Sequence, residues 1–408
     1  DPDFVIRGLI VDRRRGNILK MDRHHYAVQA FHGTRKLPPE MRKDLYARRR
    51  VRIGAGTFVP VDSPFSVPEI SLYAQMVDLM DRRERRPDYR HLYDDVRAAI
   101  DEAHADDSIK GVIARAPLRY LEVDGALAET LERLRTLGTK LFLLTNSEPA
   151  YSALVMERLL TGRGSRRRHW TGFFDLIVVR AEKPAFFARH EAFRPLDARI
   201  LGASRDRRPR FAFAGGCVSA LERALGVAGD EILYFGDHTY GDIMKSKRSG
   251  GWRTAMIIRE LEEELERLET VRGPLRRLEQ LERRADRIAG ERDFLERALE
   301  GEVPPRARAR YRAERGLPPG VREARRLLGR LEEELDGVRR TIAELEAAID
   351  ACFNEHWGSI FRAGREISHF GNQVGEFACI YTSRVSNFRN YPMDKYFLTA
   401  HEFMPHEH

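Results

Sequence analysis

EILYFGDHTYGDIMKSKRSGGWRT, residues 231–254, is the stretch from which the rest of the chain is read. Ile232 to Phe235 form a short apolar run that halts at Gly236-Asp237, and a second carboxylate, Asp242, follows five residues after Asp237. This is the pattern of a strand delivering acid to its carboxyl end. In open α/β sheets, ligands bind in the crevice outside those ends. Two carboxylates followed by Lys245 and Lys247 suit a hard cation with a phosphate beside it.

Upstream, the same kind of unit repeats. LFLLTNS (141–147) reads as a buried parallel strand ending in hydroxyl and amide side chains, and FFDLIVVRAEKP (173–184) as another, ending at Glu182-Lys183-Pro184. ARIL and RFAFAGG follow, then SALERALGV as a helix. Leu127 to Leu137 reads as a helix with Gly138 as its cap. Strand and helix in alternation predict a parallel α/β sheet, with Thr145, Lys183 and Asp237 at strand carboxyl ends. A hydroxyl and an ammonium suit phosphate oxygens, and carboxylates suit Mg²⁺.

Either side of this core the pattern changes. Residues 5–12 and 18–30 predict a β-hairpin around Arg15-Gly16-Asn17. From 34 to 111 the chain reads as mainly helical, with one helix from Pro68 and a second from Asp88, in which Tyr93, Val96 and Ile100 form the apolar stripe. Arg97, Asp101 and His104 share another face of that second helix, where the simplest reading is an exposed ion pair. Between 259 and 350, leucines recur every three or four residues in a Glu/Arg background. They predict two long helices packed as an antiparallel coiled coil, with the turn near Pro304 to Gly320. The aromatic-rich tail has helical spacing around Phe370, Val374, Phe377 and Ile380. The expected division is therefore 1–33 core hairpin, 34–111 cap, 112–258 α/β core, 259–350 helical hairpin and 351–408 C-terminal helical part of the core.

A chain of 408 residues, 42% hydrophobic, can bury a large core and form more than one domain. No window of eighteen apolar residues occurs, so no membrane span is expected. The amino terminus has no secretory pattern and no initiator Met, which points to a segment upstream. Three widely spaced cysteines, Cys217, Cys352 and Cys379, indicate neither a disulfide framework nor a zinc site and point to a reducing compartment. The net charge of +8 comes from 71 basic residues interspersed with 63 acidic ones, which argues against a nucleic-acid role because that needs a clustered basic face. Only nine of the basic residues are Lys, so Lys110, Lys183 and Lys245 stand out against the Arg background.

The ordered set of strand ends at Thr145, Lys183 and Asp237 with Asp242 resembles the haloacid dehalogenase superfamily of phosphotransferases. Longer stretches, RGLIVDRRRGNILKMD, LFLLTNSEPAY, FFDLIVVRAEKPAFF, ILYFGDHTYGDIMKSKRSGGWRT and the closing FRAGRE and MPHE, resemble the cytosolic purine 5'-nucleotidases that prefer inosine and guanosine monophosphate. The resemblance implies a parallel Rossmannoid sheet with a mainly helical cap and an inserted helical hairpin. It implies a cytoplasmic, Mg²⁺-dependent hydrolase of purine nucleoside monophosphates that works through an aspartyl-phosphate and can pass the phosphoryl group to a nucleoside. Thr145, Asn146 and Ser147 would hold the phosphate, Lys183 would neutralise it, Asp237 would ligate the metal and Asp242 would fix its water shell. Lys110 would reach the phosphate from the cap. Arg97 and Asp101 would read the purine edge with His104 beside them, and Phe65 would stack on the base. The family's Tyr after that His is Ala105 here. The resemblance also implies a homo-oligomer, dimer or tetramer. Tyr240 and Gln373 resemble parts of the effector site of eukaryotic relatives, with Glu376 where a basic residue would contact effector phosphate.

One departure matters most. The family's first motif, a strand ending in the Asp nucleophile and the general acid, has no counterpart in these residues; Asp1-Pro2-Asp3-Phe4 mimics it without a preceding strand. That strand would lie between those ending in Thr145 and Asp237. The expectation is therefore a longer natural protein, a gap or a foreign segment beside 232–236, and no hydrolysis by these 408 residues alone. The rival reading is a nucleotide-binding or assembly protein of the same fold without catalysis, with the helical hairpin as its partner surface.

Overall fold

The computed structural model describes residues 3–46, 51–54, 56–83, 87–160, 169–202, 211–315, 320–392 and 395–398. Asp1 and the closing MPHE lie outside the described residues. The chain forms two compact units, one of residues 1–262 with 360–408 and one of residues 263–359.

The larger unit is mixed α/β. Its first sheet is antiparallel and five-stranded: β1 (Ile10–Asp12), β2 (Asn17–Met21), β3 (Ala27–His32), β4 (Arg35–Lys36) and β5 (Phe58–Pro60), in the order β4-β3-β2-β1-β5. The expected second arm, 18–30, is thus two strands. Asp22 Oδ1 accepts the N–H groups of His24 and Tyr26, both at 2.9 Å, and turns the chain between them. The stretch 34–111, read as mainly helical, also supplies β5, which pairs with β1 and completes the sheet. Its helices are α1 (Pro39–Tyr46), α2 (Ser66–Arg83) and α3 (Tyr89–Ala105). α2 begins two residues before Pro68, which the first turn tolerates. Short helices α4 (Lys110–Arg115) and α5 (Pro117–Tyr120) lead to α6 (Leu127–Thr136).

The α/β part follows as β6 (Phe142–Leu144), α7 (Pro149–Leu160), β7 (Leu176–Val179), β8 (Phe193–Pro195), β9 (Phe211–Gly215), α8 (Val218–Leu225), β10 (Leu233–Gly236), α9 (Lys245–Gly250) and β11 (Arg253–Ile257). ARIL is a 3-10 turn (Ala198–Leu201) started by the Asp197 carboxylate accepting from Arg199 N. The strands make two sheets: β6-β7-β9-β8, in which only β8 is antiparallel, and a parallel set in which β10 pairs with β11.

Among the described residues no strand pairs with β10 on the side away from β11, β6 pairs only with β7, and no ladder joins β6 to β10. Side chains bring the two sheets together instead. Leu144 and Leu176 share one buried cluster with Ile232, Tyr234 and Trp252, and the Phe142 and Tyr234 rings stack at 6.3 Å.

The smaller unit is helical. α10 (Leu261–Leu299) and α12 (Val321–Ala351) bury Ile288, Leu295, Leu331, Leu335, Val338 and Ile342 against each other. The expected turn contains a third helix, α11 (Pro305–Arg315), held by Tyr311 stacking on Phe294 at 3.8 Å. In the larger unit, a two-stranded ribbon of β12 (Arg362–Ala363) and β13 (Glu366–Ile367) precedes α13 (His369–Phe377). Ile380 belongs not to a helix but to β14 (Ile380–Thr382), the third strand of the β10-β11 sheet.

Candidate active site

β6 and β7 are parallel and in register, Leu144 opposite Val178, so the segments after them leave the sheet side by side. Thr145 N donates to Val178 O at 3.0 Å and Ala181 N donates to Thr145 O at 3.0 Å, carrying the ladder one step past the strands. Thr145 Oγ1 accepts from Ser147 N at 3.1 Å, closing a tight turn. The Asn146 amide is engaged by the backbone of Lys183, donating to its carbonyl at 2.9 Å and accepting its N–H at 2.6 Å. Asn146 therefore braces Lys183.

That brace sends the Lys183 ammonium to Asp242. Lys183 Nζ lies 2.9 Å from Asp242 Oδ1 and donates to the Tyr234 hydroxyl at 2.9 Å, while Tyr234 donates to the same Oδ1 at 3.0 Å. Asp242 is 5% exposed and Tyr234 is also buried. Burial, then the Asp242 and Asp237 charges, push the phenol pKa well above its ordinary value, so Tyr234 stays protonated as a donor. Asp242 sits in the irregular helical turn Thr239–Met244, with His238 N donating to its Oδ2 at 3.4 Å. This turn folds so tightly over the strand end that a Cβ at Gly236 would lie 2.4 Å from Asp242 Cβ; only glycine fits there.

Asp237 is held by its backbone. Arg7, 1% exposed, donates to Asp237 O at 3.0 Å and makes a two-pronged pair with Glu260 at 2.8 and 2.5 Å. Among the described residues no hydrogen bond or ion pair takes up the Asp237 carboxylate. Asp237 and Asp242 are the residues here able to hold a cation; no group of three or more His, Cys, Asp or Glu that could hold a metal occurs among the described residues. Lys245 and Lys247, paired with the acids in the sequence reading, turn elsewhere: Lys245 lies over the Tyr240 ring and Lys247 donates to Glu376 O at 3.3 Å.

A second group assembles on α2 and α3. Arg97 bridges Asp101, at 3.3 Å, and Glu69, at 2.8 Å, so it does more than form the surface pair that the spacing gave as the simplest reading. Glu69 is buried, which raises its pKa against the lowering effect of Arg97. The Phe65 ring, 70% exposed, meets His104 edge-on at 6.4 Å between centroids. Lys110 opens α4, which packs on α7, the helix after Ser147; among the described residues no hydrogen bond or ion pair joins it to either group.

Asp62 links the two groups. Its carbonyl accepts from Thr239 N and Thr239 Oγ1, each at 3.3 Å, and its carboxylate lies 3.6 Å from His238 Nδ1, so the segment leading to Phe65 is tied to the turn after Asp237. Burial raises the Asp62 pKa, and the charge of His238 offsets part of this. Arg7, Asp62, Glu69 and Tyr234 were missed by sequence reasoning. An Arg inside the apolar run FVIRGLIV was the one available signal.

The arrangement, a lysine and a buried carboxylate beside an uncommitted one at parallel strand ends, has the chemistry of a phosphate-handling site. A family model described as the 5' nucleotidase family matches residues 1–408, and the chain belongs to that family. Across its full length it is 29% identical to a 5'-nucleotidase domain-containing protein of Dictyostelium discoideum, and 28% identical to 5'-nucleotidase domain-containing protein 2 of Homo sapiens and of Rattus norvegicus. It spans 65%, 74% and 69% of the length of these relatives, respectively.

Proposed function

We propose that the protein is a Mg²⁺-dependent 5'-nucleotidase of haloacid dehalogenase type that hydrolyses purine nucleoside monophosphates, inosine and guanosine monophosphate foremost, to nucleoside and phosphate. The observation that carries this is the convergence of Lys183 and Asp242 beside the uncommitted Asp237 carboxylate, with Asp62 tying that cluster to the segment of Phe65. The residues fit Mg²⁺, which keeps several waters and takes one or two carboxylates plus substrate phosphate, not a full protein cage. Asp237 would hold it directly and Asp242, already engaged on Oδ1, would order its water shell; when bound, the ion neutralises phosphate charge.

In this reading, the Thr145 hydroxyl, the Asn146 N–H and the Ser147 hydroxyl receive the phosphate oxygens, with the Ser147 N–H holding Thr145 Oγ1 in place. Lys183 shares its protons between Asp242 and the phosphate, offsetting charge as it builds on the equatorial oxygens. A carboxylate nucleophile on a further strand, in the gap between β6 and β10, attacks phosphorus in line, the bond to the nucleoside 5'-oxygen breaks, and that oxygen takes its proton from the general acid on the same strand. Water then cleaves the aspartyl-phosphate and regenerates the carboxylate. A nucleoside in place of that water gives phosphotransfer. Phe65 stacks on the base, Arg97 and Asp101 read its edge, and His104 closes the side.

The test is phosphate release from inosine, guanosine, cytidine and uridine monophosphates and from a sugar phosphate, with and without Mg²⁺, by protein carrying the gap strand. Purine-selective, Mg²⁺-dependent release is expected. Equal turnover of sugar phosphates would refute the base reading, and nucleotide binding without turnover would favour the non-catalytic rival.

A further inference from the structure

Tyr234 takes no part in the steps above, yet its hydroxyl stands among the contacts that hold Lys183. The residue is buried in β10, where other rings fix its own: it stacks on Phe142 with an interplanar angle of 7° and meets Trp252 and Phe187 edge-on at 5.4 and 5.9 Å. For that packing a Phe would serve as well, so the hydroxyl needs a reason of its own. It accepts one N–H of Lys183 and donates its proton to Asp242 Oδ1, the oxygen that Lys183 also reaches, closing a triangle with sides of 2.9, 2.9 and 3.0 Å.

An ammonium carries three N–H donors on a flexible four-carbon stem. A Lys183–Asp242 pair alone would leave that stem a pivot about one contact. The hydroxyl, seated in its stack of rings, is a second anchor that removes the pivot and leaves one N–H uncommitted among the described residues. The triangle also divides the carboxylate: Oδ1 takes up Lys183 and Tyr234, while Oδ2 receives only the 3.4 Å contact from His238 N among the described residues. We propose that Tyr234 is a positioning residue for phosphoryl transfer, whose hydroxyl aims the remaining N–H of Lys183 at the phosphate and keeps Asp242 Oδ2 for the water shell of the metal. This rests on the roles proposed above for Lys183 and Asp242 and adds the residue through which the two are aligned.

Tyr234→Phe, made in the protein carrying the gap strand, removes the hydroxyl and keeps the ring. It should lower kcat for inosine monophosphate about 10- to 100-fold, the scale of a 1 Å misplacement, while KM changes less than about threefold. The Mg²⁺ concentration giving half-maximal rate should rise. Because the hydroxyl acts through Lys183, the same substitution on a Lys183→Ala background should change kcat less than about threefold, as for groups that act as a unit. An equal loss in both backgrounds, the mark of a purely structural hydroxyl, would overturn the inference, as would wild-type kcat in Tyr234→Phe. Calorimetric binding of inorganic phosphate in Mg²⁺ separates this from the nucleotidase reading. If the wild type binds phosphate but releases none from any nucleotide, that reading fails and the same cycle is read in phosphate affinity: Tyr234→Phe should weaken binding about tenfold alone and leave it unchanged on the Lys183→Ala background, and any other pattern overturns the inference. Absence of phosphate binding would overturn both. Circular dichroism checks the fold; if Tyr234→Phe loses it, a fluorinated tyrosine at position 234, a weaker acceptor for the Lys183 N–H, takes its place, with a smaller loss in the same direction expected.

Discussion

At one end of the candidate site Lys183, Asp242 and Tyr234 share one carboxylate oxygen beneath a turn that leaves no room for a Cβ. At the other, Phe65 stands 70% exposed and Arg97 reaches from a buried Glu69 to a solvent-facing Asp101. The first group is desolvated and fixed, as electrostatic work on a phosphate demands, since charges act strongly only where water is excluded. The second is half solvated. Under the proposed roles, chemistry and base selection would thus sit in environments of different solvation, joined through Asp62.

Four experiments would break or sharpen that contrast. Lys183→Ala should lower turnover by roughly 10³-fold or more, the scale of losing a preorganised charge partner, with little change in KM; near-normal kcat would refute its role. Gly236→Ala forces its Cβ onto Asp242, so a stability loss of about 1–3 kcal/mol is expected from overpacking, read from the denaturant midpoint, with activity falling alongside. At the solvated end, Phe65→Ala should raise KM for inosine monophosphate about tenfold, the value of one lost base stack, while kcat and Tm stay close to wild type. If kcat collapses instead, the two ends are not separable.

The smallest effect concerns Asp62. Its folded pKa is raised by burial, so above the unfolded value the native state holds a proton that the unfolded chain has released. Stability from this group is full at low pH and declines as pH rises through the window between the two values. Asp62→Asn, which keeps the carbonyl that Thr239 uses, should flatten that slope in denaturant midpoints taken from pH 4 to 7 while changing kcat/KM only a few-fold.

Much of the larger unit is written in local pattern. The apolar runs before Thr145, Lys183 and Asp237 are strands because each is bounded by polar or glycine punctuation, and β6, β7 and β10 lie inside the expected stretches. The leucine spacing gives α10 and α12 for the same reason. What stayed hidden is nonlocal. β5 joins the first sheet by pairing with β1 at a separation of 46 positions, Asp12 opposite Phe58, Ile380 becomes strand only because β11 offers it an edge, and α11 is too short and too charged to announce its packing. In the site, helical spacing brought Arg97, Asp101 and His104 together on paper. It could not reveal Glu69, which reaches Arg97 from another helix, or Tyr234, which looked like one more apolar strand residue. The side chain of Asn146, a residue that the family resemblance places at the phosphate, grips the Lys183 backbone 37 positions away, a contact that local pattern does not show.

The Arg7 guanidinium joins the carbonyl of Asp237, 230 positions away, and Glu260, 253 positions away. Contacts so distant along the chain close only after the segments between them have condensed, because the entropy of closing the loop must be overcome before the contact rewards it. During synthesis, a ribosome would have delivered everything from the first sheet to β11 before Arg7 could meet both partners. The orientation of the Asp237 carbonyl thus depends on a residue made at the very start of the chain and waits for Glu260 to complete the Arg7 clamp.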